Sequence, residues 1–191
     1  MLGVSLLAVE LEPRTRLSVA ADGMRGYIET LDEVLSGMRV TGKATYVPRG
    51  GKVTMAMESE RDGQQVEFNP VSSGIYDEIK GELGELDSKG AAFFDFWVPK
   101  ALVDNLSMAD EVKIAREGDS VRVSMRRPFV RRLCVDRFVN EKVCCTMGCP
   151  LAGAVAEALA STTGRDARFV GCTYDRKTQR ADTILSQGQG K

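Results

Sequence analysis

The chain has 191 residues, of which 43% are hydrophobic, and its 26 basic and 27 acidic side chains leave a formal net charge of −1. This length and composition suffice for a packed core, and the near-zero charge implies no general attraction to nucleic acid or to an anionic membrane. The sequence contains no histidine, which excludes Ser–His and Cys–His nucleophile pairs and mixed Cys/His zinc sites.

The number of cysteines and the first nine residues predict the cellular compartment of the protein. There are five cysteines, an odd number with uneven spacing. The apolar segment 1–9 has neither a basic flank nor a cleavage signal, and it is too short to cross a bilayer. We therefore expect a cytoplasmic protein with reduced thiols and no membrane span, rather than a secreted disulfide framework.

The N-terminal part of the chain combines helical and strand-like patterns. Apolar residues recur every three or four positions at 24–36 and again at 72–84, which predicts a helix in each segment. Alternating apolar residues on both sides of a Gly-Gly turn predict a hairpin at 40–60, and a further strand is predicted at 64–68.

The middle of the chain predicts a second hairpin. The aromatic segment 91–98 is interpreted either as a buried strand or as a helical turn, and Pro99 is expected to begin a new helix that ends at Leu106. A hairpin is predicted at 111–126 around Glu-Gly-Asp, followed by a strand at 133–139.

The C-terminal part predicts a loop at 140–148, a helix at 150–163 and a last hairpin at 167–185. The fold class is therefore α+β, a mixed α/β domain with antiparallel hairpins and three or more packing helices. We divide it into an N-terminal helix and antiparallel meander at 1–70, an α/β domain at 71–187 and a loose tail at 188–191.

A cysteine cluster precedes the helix at 150–163. Cys144, Cys145 and Cys149 lie within six positions, and Pro150 suits the first helical turn, which places Cys149 at the cap, while Gly164 is the expected stop. The unpaired amides of a helix start favour a thiolate over a thiol. Metal ligation, thiol reactivity and simple packing are the three interpretations of this cluster.

Two other groups of residues have a functional and a structural interpretation. The rings of Phe93, Phe94, Phe96 and Trp97 either belong to the core, which we favour, or form the wall of an apolar pocket. The arginine-rich segment 126–137 is typical of a solvated strand edge, or of a partner for the acidic helix at 72–84, more than of a nucleic-acid face, because no further basic stripes accompany it.

The order of elements over 143–185 resembles the C-terminal part of the 4-vinyl reductase domain family. The residues that carry the resemblance are Cys149, the helix at 151–163, the Gly164-Arg165 step and a strand with Cys172. The resemblance implies a mixed α/β fold that is also found in transport-particle tethering subunits. It also implies a small-molecule-binding or regulatory module, with zinc held by cysteines in some members.

Carried over by position, the resemblance implies that Cys149 and Cys172 are zinc ligands and that Cys144 or Cys145 supplies the others. The segment 180–183 departs from the family, whose members often have a further cysteine in this last strand. This departure puts a zinc site of the usual form in doubt.

Our leading hypothesis is a non-enzymatic cytoplasmic module that binds an apolar small molecule or a protein partner, with the cysteine-rich loop as a metal site or sensor. A different class is a thiol-dependent enzyme or redox protein that uses Cys149. A third is a tethering or scaffold subunit that forms a homodimer.

Overall fold

The computed structural model describes residues 30–60, 63–83, 90–129 and 141–188. Its strands are β1 (Val40–Arg49), β2 (Lys52–Ser59), β3 (Gln65–Phe68), β4 (Glu111–Glu117), β5 (Ser120–Arg126), β6 (Ala167–Asp175) and β7 (Arg180–Gln187). They form one seven-stranded sheet in the order β3-β2-β1-β6-β7-β5-β4, in which neighbouring strands are antiparallel.

The predicted hairpins correspond to neighbouring strands of this sheet. β1 pairs with β2, β4 with β5, and β6 with β7, and the strand predicted at 64–68 adds to β2 as β3. The alternation of apolar residues explains this pairing, because alternate residues are buried along β5 and β7 and in the first part of β6. The strand predicted at 133–139 lies outside the described residues.

The helices are α1, described at 30–37, α2 (Ser73–Leu83), α3 (Ala91–Lys100), α4 (Glu141–Met147) and α5 (Pro150–Thr163). The predictions at 72–84 and 150–163 are confirmed by α2 and α5. Of the helix predicted at 24–36, positions 30–36 are helical, and the earlier positions are not among the described residues. The α+β fold class is confirmed.

The prediction that Pro99 begins a helix is wrong. Pro99 lies inside α3, which resolves the two interpretations of 91–98 in favour of a helix. A proline inside a helix removes one hydrogen bond to the preceding turn. The chain continues directly into a π-helical turn, Ala101–Asn105, in which the amide of Leu106 donates to the carbonyl of Ala101.

The prediction of a loop at 140–148 is also wrong, because α4 occupies most of this segment. Val143 and Met147 are four residues apart and therefore lie on one side of a helix, where both are buried. Two apolar positions are too short a pattern to predict a helix from the sequence. As a consequence, Cys145 lies on a helix and not in a loop.

The central helix α5 packs across the middle of the sheet, where it contacts β1, β2, β6 and β7. Every residue from Pro150 to Ala160 is buried, because α5 also contacts α2 and α3 on its other sides. Its small side chains allow this close approach. The core face of the sheet includes Tyr46, Met55, Phe169 and Leu185.

The meander and the C-terminal strands belong to one sheet and one hydrophobic cluster. The predicted domain boundary near residue 70 falls between β3 and α2, and buried residues from both sides of it join that cluster. The tail predicted at 188–191 begins at Gly188, whose amide donates to the carbonyl of Asp166. Positions 189–191 are not among the described residues.

Candidate functional site

The neighbouring strands β1 and β6 pair over only a short stretch. Their register partners are Thr45 with Arg168 and Tyr46 with Ala167, and both strands are irregular beyond this point, between Thr41 and Thr45 and between Phe169 and Gly171. We call the region between 40–44 of β1 and 169–175 of β6 the β1–β6 gap. Helix α4 contacts both strands and lies over this gap.

Helix α4 is held by two side chains of β1. The Lys43 ammonium donates a hydrogen bond to the carbonyl oxygen of Cys145 and lies 5.6 Å from the centre of the Phe169 ring. The Tyr46 hydroxyl donates to the carbonyl oxygen of Met147 over 3.3 Å. The position of α4 is therefore coupled directly to β1.

Three of the predicted site cysteines lie on elements that surround the β1–β6 gap. Cys145 is exposed on α4, Cys149 is buried at the start of α5, and Cys172 is half-buried on β6. None of these three forms a disulfide. The side chain of Cys144, the fourth predicted ligand, is outside the described part of the structure.

The thiol of Cys172 is strongly shifted towards its neutral form. Burial raises the pKa of Cys172 to about 12, and the neighbouring Cys149 and, to a smaller extent, Asp182 and Cys145 add to this rise. The Thr183 hydroxyl donates to the Cys172 sulfur over 3.7 Å, which acts in the opposite direction. Cys172 is thus a protonated thiol at neutral pH.

The bounds of α5 agree with the prediction, but the predicted capping bond is not present. Cys149 is the N-cap residue, Pro150 follows in the first turn, and Gly164 ends the helix in the left-handed conformation with φ 65°. The Cys149 side chain makes no capping hydrogen bond and is only 5% exposed. A helix-capped Cys149 thiolate therefore lacks its expected hydrogen bond.

The zinc site that the resemblance implies stays a prediction, because one of its four cysteines, Cys144, has a side chain outside the described part of the structure. Within the described ranges, no group of three Cys, Asp or Glu side chains is placed to hold a metal ion. In the absence of a metal ion the surroundings of Cys172 favour the thiol, and a bound cation would favour the thiolate. We therefore derive no chemistry through zinc at Cys149 and Cys172.

The four aromatic residues predicted as a pocket wall lie on different sides of α3. Phe94 is fully buried in the core, whereas Phe96 is 63% exposed. Phe96 and Trp97 form an edge-to-face pair with ring centres 5.1 Å apart, and Phe93 lies 6.2 Å from Trp97. Phe94 therefore belongs to the core, and Phe93, Phe96 and Trp97 form a separate surface cluster.

A buried polar cluster between α2, α5 and β1 was not predicted from the sequence. Glu157 is only 2% exposed, and its carboxylate accepts hydrogen bonds from the hydroxyls of Ser72 and Ser73. The Tyr46 hydroxyl lies beside Ser72 in the same cluster, and both are close to Gly153. The carboxyl group of Glu157 thus links α5 to the start of α2, and Tyr46 of β1 borders the same cluster.

A polar stripe on α5 explains how this cluster fits into the core. Cys149, Gly153, Glu157 and Ser161 are spaced by four residues and lie on one side of the helix. A Cβ atom at Gly153 would lie 2.6 Å from the Ser72 Oγ atom and 2.9 Å from the Tyr46 hydroxyl oxygen. Only glycine leaves room for these two hydroxyl groups.

The pKa values in this cluster are set mainly by burial. Burial raises the pKa of Glu157 to about 7, and the charge of Asp77 adds to this effect, while the bonds from Ser72 and Ser73 oppose it. Burial, followed by the charge of Glu157, also raises the pKa of the Tyr46 phenol. One signal was available in the sequence, since Glu157 is the only ionisable residue in 150–163.

The fold and the site together define an α+β domain with helices packed on its sheet and thiols gathered at one gap between strands. Comparison of the chain with protein-family models, with curated proteins and with solved structures gave no match. The resemblance to 4-vinyl reductase domains therefore stays a prediction. Within the described ranges, no helix has the length and apolar character needed to cross a membrane.

Proposed function

We propose that the protein is a non-enzymatic cytoplasmic regulatory module in which the cysteines at the β1–β6 gap act as a thiol sensor. The observation that carries this proposal is that Cys145, Cys149 and Cys172 lie on three different elements around this gap, with Cys145 exposed. Exposed Cys145 is the entry point for a soft electrophile, whereas Cys149 is buried and Cys172 is half-buried.

The hydrogen bonds of α4 supply a route from the thiols to the rest of the fold. An adduct on Cys145 changes the environment of a helix whose carbonyl groups are held by Lys43 and Tyr46. Tyr46 in turn reaches Ser72 and the buried Glu157 cluster. Modification at the surface can thus be transmitted to the contact between α2 and α5.

The other hypotheses have less support from the described residues. A thiol enzyme that uses Cys149 requires substrate access to a side chain that is 5% exposed. Phe94 cannot line a pocket for an apolar ligand beside the other three rings, because it is buried in the core. Dimerisation or partner binding through exposed Phe96 is a remaining possibility for the surface cluster of α3.

Alkylation of the thiols tests the proposed order of accessibility. Burial raises the pKa of Cys172 and so lowers its fraction of thiolate, which is the reactive form. We therefore expect iodoacetamide to label Cys145 much faster than Cys172, as followed site by site by mass spectrometry. Equal rates at the two sites would contradict the described packing of Cys172.

Hydrogen exchange tests whether the labelled thiol acts as a sensor. We expect labelling of Cys145 to increase amide exchange in α4 and in 43–46 of β1, because the bonds from Lys43 and Tyr46 are weakened. The control is Cys145→Ser treated with the same reagent, in which these segments should not change. Labelling of Cys145 without any change in exchange would overturn the sensor proposal.

A further inference from the structure

A second candidate site lies on the sheet beside the β1–β6 gap. A pocket of about 190 Å³ opens there between β3, β2, β1 and β6. Its centre is lined by the small side chains of Thr45 and Ala56, which are register partners on β1 and β2, and by Gly42. Larger polar residues surround these small ones, and this difference in side-chain size creates the depression.

The charges around the pocket are separated by sign. Lys43 on β1 and Arg168 on β6 contribute cations on one side. Glu58 on β2 and its register partner Gln65 on β3 contribute a carboxylate and an amide on the other. Because Thr45 pairs with both Arg168 and Ala56, the two groups face each other across the centre of the pocket.

Lys43 also holds the Cys145 carbonyl, but Glu58 and Arg168 are not paired within the described part of the chain as other surface charges are. Elsewhere Arg49 pairs with Glu67, and Arg127 pairs with Asp110. Among the described residues, the ion pairs include neither Glu58 nor Arg168. Both side chains are exposed and available to a ligand.

We propose that this pocket binds a small zwitterion, with its carboxylate between Lys43 and Arg168 and its ammonium group at Glu58. A plain anion would be attracted by the two cations but repelled by Glu58. The pocket is also smaller than the roughly 300–1,000 Å³ typical of sites for drug-sized ligands. A molecule of amino-acid size with both charges matches its volume and its polarity.

This site differs from the thiol sensor in its ligand and, apart from Lys43, in its residues. Lys43 borders both regions, but it contacts the backbone carbonyl of Cys145 and not the thiol. Replacing Cys145 by serine keeps that carbonyl. The variant is therefore expected to abolish thiol labelling at this position and to leave zwitterion binding unchanged, so the two proposals fail separately.

Calorimetric titration with matched probes tests the charge requirement. We expect the full chain to bind γ-aminobutyrate or β-alanine at least tenfold more tightly than butyrate, which lacks the ammonium group, and butylamine, which lacks the carboxylate. Butyrate binding as tight as that of both zwitterions would overturn the proposal in favour of simple anion attraction. Absence of saturation by either zwitterion would overturn it as well.

Variants then assign each charge to its partner. Arg168→Gln should weaken zwitterion binding at least tenfold, and Glu58→Gln should reduce it to the level of butyrate. The matched controls are Arg122→Gln on β5 and Glu117→Gln on β4, which change exposed residues outside the pocket and should leave binding unchanged. Equal effects of the site and control variants would show non-specific charge attraction and would contradict the proposed site.

Discussion

Raising the pH from about 5 to about 8 is expected to destabilise the wild-type chain relative to the Glu157→Gln variant. The pKa of Glu157 is raised from 4.5 to about 7 in the folded chain, so between these values the folded state binds more protons than the unfolded state. The stabilising contribution of the carboxyl group is present below about pH 4.5 and is lost as the pH rises through about 7.

The expected size of this effect follows from the shift. One pKa unit corresponds to about 1.4 kcal/mol, so the shift of Glu157 corresponds to roughly 3 kcal/mol in the free energy of unfolding. Glutamine keeps the shape and one acceptor oxygen for Ser72, while the Ser73 hydroxyl still has the Pro70 carbonyl as an acceptor. It has no charge to desolvate. At about pH 8 we therefore expect Glu157→Gln to be more stable than the wild type.

Urea denaturation at a series of pH values measures this difference directly. A suitable control is Asp77→Asn, which removes a neighbouring charge that contributes only a smaller part of the shift. Its stability should follow the wild-type dependence on pH closely. Parallel curves for the wild type and Glu157→Gln would mean that Glu157 is ionised throughout, and would contradict the described burial.

Gly148→Ala is expected to destabilise the fold by about 2–4 kcal/mol, because it combines backbone strain with steric overlap. Gly148 joins α4 to α5 with φ 82°, which side chains rarely adopt. A Cβ atom there would lie 2.7 Å from the Phe169 ring and 2.9 Å from the Ala152 Cβ atom. Neither neighbour can move easily, since both are fully buried.

A matched glycine separates the two causes. Gly164 at the end of α5 has φ 65° and no atom within 4 Å of an added Cβ, so Gly164→Ala should cost only the strain of about 1 kcal/mol. Thermal or urea unfolding of both variants gives the comparison. Equal losses of stability would contradict the close contact of Gly148 with Phe169.

The features that could be predicted from the sequence were those encoded locally. Pro150 and Gly164 mark the two ends of α5, and the alternation around Gly50 marks the first hairpin. By contrast, only Val143 and Met147 show an apolar helical pattern in α4, so the helix was not predicted. Pro99 led to the prediction of a helix start, although it lies inside α3. Short or ambiguous local signals were overridden by packing.

The site was predicted only in part for the same reason. The cysteines were found because Cys144, Cys145 and Cys149 are neighbours in the chain, and the resemblance added Cys172. The partners of Glu157 are distant in sequence, with Ser72 lying 85 positions away. The pocket residues come from four strands whose order requires the pairing of β1 with β6, which no local pattern indicates.

The short pairing between β1 and β6 divides the sheet into two leaves, one of three strands and one of four. Each leaf has long internal ladders, whereas only two register pairs join them, and α5 bridges both. The leaves can therefore open as separate cooperative units without loss of their own ladders. We expect native-state hydrogen exchange to give one opening free energy for the amides of β1 and β2 and another for those of β5 and β7. Because α5 packs on both leaves, we expect its unfolding to coincide with global unfolding of the domain.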